Sequence, residues 1–75
     1  MQMKLRQPRR IRELFGREKN WLKFTEIANG LGIHQNTVRK MMRGDTINED
    51  TVRIVADALD AHPLDIAEFV NSEEN

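Results

Sequence analysis

The 75-residue sequence predicts a single all-α domain built from five short helices. Three observations lead to this prediction. The chain is too short for more than one domain. Apolar residues recur three and four positions apart, which is the spacing of one buried helix face. Residues that favour helix ends separate these stretches, and we expect no strand.

The first segment, residues 1–7, carries two cations and shows no helical period, so we expect a flexible basic arm. Pro8 suits the first turn of a helix, where a missing N–H costs little. Ile11, Leu14 and Phe15 then form the apolar face of helix one. The predicted helices span 8–19, 24–31, 35–43, 49–60 and 63–71.

The later helices are delimited by their end residues. Gly32 ends helix two, and Gly44 ends helix three. Asn48 is a good N-cap for helix four, and Pro63 begins helix five. Residues 8–71 therefore form the predicted domain, and residues 72–75 an acidic tail.

The charge is divided between the two halves of the chain, although its formal sum is zero. Residues 1–43 hold eleven Lys and Arg against three acids, which gives +8. Residues 44–75 hold one cation against nine acids, which gives −8. A chain of this kind can meet a polyanion with its basic half. The alternative is two solvated faces of opposite sign.

The segment over about 24–43 has the residue types that a helix-turn-helix needs. Two short helices that meet steeply require a small residue where they touch, and Ala28 supplies it. The turn requires a positive φ directly after the first helix, which Gly32 provides. Val38 closes the inner face of the second helix.

This stretch, residues 24–41, resembles the helix-turn-helix of the phage Cro/C1 repressor family, also called the XRE family. The similarity continues through Arg43-Gly44, residues 52–59 and residues 63–66, and covers roughly residues 9–70. It implies a compact five-helix domain of the lambda-repressor-like type. It also implies a bacterial or phage transcriptional regulator, a repressor, that binds double-stranded DNA with helix 35–43 in the major groove.

The resemblance also implies roles for individual side chains. Gln35, Asn36 and Lys40 match the family's base-reading positions, and Arg39 can also address guanine. Phe24 departs from the family, in which many members carry a phosphate-binding Gln at this position. Lys23 or Thr25 would supply this phosphate contact instead. Thr37 and Arg43 are expected to contact phosphates or a thymine methyl.

The basic residues near the N-terminus have more than one interpretation. In one interpretation these basic residues form an arm that follows the minor groove of DNA. In another they bind phosphates beside helix one. They would otherwise only keep a terminus soluble. The residues concerned are Lys4, Arg6, Arg9 and Arg10.

Catalysis is not supported by the sequence. There is no cysteine, and the two histidines, His34 and His62, both fall at expected helix N-caps. Neither has a nucleophile or a metal-ligand spacing beside it. We therefore expect no enzyme, no metal and no cofactor.

The chain also shows no apolar run of membrane-spanning length and no signal peptide, so a cytoplasmic location is expected.

The competing function is a protein-interaction module on the same fold, such as an antitoxin or anti-repressor component. The acidic half could dock a basic partner through helices four and five. The polar, basic outer face of helix three favours DNA over this alternative. Three possibilities stay open. The protein forms a homodimer through helices four and five, it binds weakly as a monomer, or the sequence is a fragment of a longer protein. No small-molecule ligand is evident.

Overall fold

The computed structural model describes residues 1–70 as five helices and a three-stranded antiparallel sheet. The helices are α1 (Pro8–Lys19), α2 (Phe24–Leu31), α3 (Gln35–Met42), α4 (Glu49–Ala58) and α5 (Pro63–Ile66). The strands are β1 (Gln2–Leu5), β2 (Ile47–Asn48) and β3 (Ala67–Phe69), in the spatial order β2-β1-β3. The fold is therefore mixed α/β, and the all-α prediction is wrong.

The predicted flexible arm is wrong for Gln2–Leu5, which forms the central strand of the sheet. Met3 pairs with Ile47 of β2 and with Phe69 of β3. Met3 and Leu5 are only 1% and 3% exposed, whereas the residues between and beside them face solvent. The cause is the two-residue period of a strand, which places alternate side chains in the core.

The predicted helix over 63–71 is also too long. The helix ends at Ile66, because Ala67 adopts an extended backbone with φ −146° and ψ 166° and begins β3. Residue 71 and the predicted acidic tail lie outside the described residues. The other helices begin where the sequence predicts. The helix predicted over 35–43 ends one residue early, at Met42, and α4 ends at Ala58, before Asp60 with its φ of 57°.

The core lies where the helices meet the sheet. It contains side chains from α1 to α5 and from all three strands, and none of the buried side chains among residues 1–70 is polar or charged. The largest fully buried side chains are Phe15, Met3, Ile27, Met41, Val38, Val52 and Val55.

Among residues 1–70, no helix has the length and hydropathy needed to cross a bilayer.

Candidate nucleic-acid interface

Helices α2 and α3 are joined by a short turn over residues 32–34. Gly32 has a φ of +73°, and its N–H donates to the Ala28 carbonyl at 2.8 Å. The Ile33 N–H donates to the same carbonyl at 3.0 Å. A side chain at Gly32 would meet open space, so glycine is required here for its backbone conformation. The positive φ predicted for this residue is confirmed.

Helix α3 is anchored by its inner face. Val38 and Met41 are fully buried, and Ala28 on α2 is 3% exposed, so the predicted contact residues share the core. The start of α3 is capped by His34, whose Nδ1 accepts the Asn36 N–H at 3.0 Å. This hydrogen bond fixes the entry into the helix. The cap position expected for His34 is confirmed.

The outer face of α3 carries the candidate base-reading residues. Asn36, Arg39 and Lys40 are exposed, whereas Gln35 and the candidate phosphate ligand Thr37 are half-buried. None of the eight residues of α3 is acidic. This face therefore presents amide and cationic donors to solvent with no carboxylate of its own helix among them.

Arg43 follows α3 and is engaged by a neighbour that the sequence analysis did not consider. Its Nη2 and Nε both donate to Asp45 Oδ2, at 2.7 and 3.1 Å. Gly44, with a φ of +85°, turns the chain so that the two side chains meet. The pair is exposed, and such pairs contribute little to stability. A phosphate would therefore compete with Asp45 for this guanidinium.

The start of α2 holds the other two candidate phosphate ligands, Lys23 and Thr25, and both are exposed. Glu26 Oε1 accepts the Leu22 N–H at 2.8 Å and the Lys23 N–H at 2.9 Å. The hydrogen bonds from Lys23 and Leu22 lower the pKa of Glu26, because they stabilise its charged form. Glu26 thus orders the backbone that leads into α2.

A brace formed by Phe15, Trp21 and Gly30 joins α1 to α2, and the helical spacing of the sequence did not reveal it. The Trp21 ring packs against Phe15, with ring centroids 5.5 Å apart, and lies directly over Gly30. A glycine in the body of a short helix was the available signal, because such residues often allow a close approach. The brace joins the end of α1 to the last turn of α2.

The four N-terminal cations do not act together as an arm. Lys4 lies on the outer face of the sheet, with Nζ 4.0 Å from Glu68 Oε2 on β3. Arg6 and Arg10 line a depression of about 210 Å³ beside Asp65. Arg9 lies elsewhere, next to Phe24 and Met42. The predicted contacts are thus divided among three places.

No group of three His, Cys, Asp or Glu side chains within residues 1–70 is arranged to hold a metal ion.

Known proteins give no independent guide to the function. None of the protein-family models matches this chain, and neither the curated proteins nor the solved structures contain a match.

Proposed function

We propose that this protein binds double-stranded DNA sequence-specifically, with α3 in the major groove, and acts as a transcriptional regulator. The observation that carries the proposal is the outer face of α3. Asn36, Arg39 and Lys40 project from a helix whose opposite side is fully buried. A short helix anchored in this way and preceded by a tight turn has the dimensions of a major-groove reader.

The chemistry of these side chains fits base recognition. Asn36 can form a bidentate pair with adenine N6 and N7, and Lys40 or Arg39 can donate to guanine O6 and N7. Gln35 is the less accessible amide, because it is half-buried at the start of the helix. We therefore assign the leading role in base reading to Asn36.

The residues around α3 supply phosphate contacts in this proposal. Arg43, Lys23 and Thr25 are exposed at the end of α3 and the start of α2. If about five cations of the basic half, residues 1–43, meet phosphates, the slope of log K against log salt should lie near −4 to −5. Affinity should therefore depend strongly on salt despite the zero net charge.

The test begins with selection and sequencing of random duplexes that bind the protein. Asn36→Ala should weaken binding to the selected site by about 1–3 kcal/mol and change binding to scrambled duplex little. Arg43→Ala should weaken both complexes about equally and reduce the salt slope by about one. The control is Arg17→Ala, because Arg17 is also an exposed arginine but lies on α1 and does not line the groove beside α4 and α5.

Three results would contradict the proposal. The first is that no duplex is selected at any salt concentration. The second is a salt slope near zero. The third is a set of α3 variants that bind like the parent. Repression is the expected mode of regulation from the family resemblance. It is tested by placing the selected site over a promoter and measuring transcription with and without the protein.

A second candidate function is protein binding, which the apolar side chains exposed beyond α3 favour. Leu64 and Phe69 are 45% and 46% exposed and line a groove of about 370 Å³ that Glu49 and Asp57 border. A homodimer through this end of the molecule would use α4, α5 and β3. On DNA it would select a near-palindrome with half-sites about 10 bp apart, whereas one asymmetric site would indicate a monomer or another partner.

A further inference from the structure

An arginine stacked on an aromatic ring lies where α1 meets the start of α2. The Arg12 guanidinium carbon is 4.8 Å from the centroid of the Phe24 ring, which is within cation–π range. Arg9 lies one helical turn earlier and so shares this side of α1. Both arginines line a depression of about 160 Å³ together with Phe24 and Met42.

The two guanidinium groups are available to an anion. Three ion pairs are formed among residues 1–70, and neither Arg9 nor Arg12 takes part in them. Glu13 borders the neighbouring depression with both arginines but makes no such pair. This differs from Arg43 and Arg53, which are each held by a carboxylate.

The ring under Arg12 also restricts its orientation. A guanidinium that lies on an aromatic face keeps the N–H donors at its edge free, and these donors match the oxygens of a phosphate in pairs. Phe24 thus reduces the conformational freedom that Arg12 would otherwise lose on binding. The depression adjoins Met42, the last residue of α3, so an anion bound there lies at the C-terminal end of that helix.

We infer that Arg9 and Arg12 bind one backbone phosphate of the DNA that α3 reads, with Phe24 as the residue that positions Arg12. The inference rests on the proposed function and adds a contact that the family-like positions do not include. The phosphate belongs to the strand that passes the C-terminal end of α3. It is a sequence-independent contact, because it reads no base.

The test compares Arg12→Gln with Arg17→Gln. Both variants remove one charge from α1, but Arg17 lines neither depression. Because Arg9 remains at the same phosphate, Arg12→Gln should reduce the salt slope by up to about 0.9, the value expected for loss of a whole phosphate contact. Between 50 and 200 mM salt, the affinity of Arg12→Gln should therefore fall less than that of the parent, by a factor of up to about 3.5. Arg17→Gln should retain the parent slope on both selected and scrambled duplex.

The role of Phe24 is tested with Phe24→Leu, alone and combined with Arg12→Gln. Leucine keeps an apolar side chain but removes the ring face. Phe24→Leu should weaken binding about 2- to 5-fold in the parent and have no further effect once Arg12 is replaced. A purely structural role would weaken both backgrounds equally, and thermal unfolding of each variant measures that part separately.

The outcomes separate this inference from the proposed function. If Arg12→Gln behaves like Arg17→Gln while Asn36→Ala still loses the selected site, the arginine pair is not a phosphate contact and the DNA-binding proposal stands. If the parent binds no duplex, both are overturned. A scan with one neutral methylphosphonate per duplex should find a single backbone position at which Arg12→Gln loses clearly less affinity than the parent.

Discussion

Gly30→Ala gives the sharpest test of the packing, because two physical effects oppose each other there. Gly30 is an exposed residue of α2, and alanine at such a position normally stabilises a helix by about 0.5–1 kcal/mol. A Cβ at Gly30, however, would lie within 2.5 Å of three atoms of the Trp21 ring, namely Cζ2, Cη2 and Cε2. No side-chain contact is that short, so the ring must move.

The displacement should outweigh the gain in helix propensity. Inserting a methyl group into a packed contact costs about 1–3 kcal/mol. Trp21 would also lose part of its contact with Phe15. We expect a net loss of about 1–2 kcal/mol for Gly30→Ala, and each kcal/mol lowers the Tm of a domain of this size by about 4–8 °C.

Thermal unfolding followed by circular dichroism and by Trp21 fluorescence measures this loss. The control is the same substitution in a Trp21→Ala background, where the obstructing ring is gone. There Gly30→Ala should raise the stability by about 0.5–1 kcal/mol, which reverses its sign. A higher Tm for Gly30→Ala in the parent would show that the ring does not cover Gly30.

Five further substitutions test the turn, the N-terminal strand and the start of α2. Gly32→Ala should destabilise the fold by about 1–2 kcal/mol, because residue 32 has a positive φ, and Gly32→Asn should destabilise it by less. If both variants were as stable as the parent in thermal unfolding, residue 32 would not be left-handed. Leu5→Ala should lower the free energy of unfolding by about 2–5 kcal/mol, whereas Lys4→Ala should change it by no more than about 0.5 kcal/mol, as measured by denaturant unfolding. If residues 2–5 were a flexible arm, neither substitution would change the stability. Glu26 has a folded pKa below its ordinary 4.5, so its stabilising contribution is present above pH 4.5 and is lost as the pH falls through the folded pKa. The Tm difference between the parent and Glu26→Gln should therefore shrink below pH 4.5, and a difference that is constant with pH would contradict the hydrogen bonds to Leu22 and Lys23.

The helices could be predicted from the sequence because their signals are local. The apolar spacing of Ile11 and Phe15, the proline at position 8 and the glycine at position 32 all act within one or two turns of the residue concerned. The turn between α2 and α3 is local for the same reason. The candidate reading residues could therefore be placed on α3, and the exposure of Asn36, Arg39 and Lys40 could be expected from the inward position of Val38 and Met41. Gln35 departs from this expectation, because it is half-buried.

The sheet could not be predicted in the same way, because its signals are far apart. β1 contributes only two inward side chains, Met3 and Leu5, and the partners of Met3 lie at Ile47 and Phe69. A four-residue strand with no neighbouring hairpin has no turn signal of its own. The run after Ile66, with Glu68 between Ala67 and Phe69, is short, and such a short run fits a helix or a strand equally.

The sheet also supports the candidate interface, because it anchors the segment on the C-terminal side of α3. The chain leaves α3 at Met42 and enters β2 at Ile47, and β2 is paired with β1. Asp45, whose carboxylate binds Arg43, lies in the segment between them. The orientation of Arg43 therefore depends on a segment that is anchored by the N-terminus of the protein. Lys4, on the outer face of β1, is held near Glu68 and does not extend as an arm. The N-terminal strand thus helps to anchor the segment that follows the candidate interface on α3, and this anchoring does not depend on the cations of the strand.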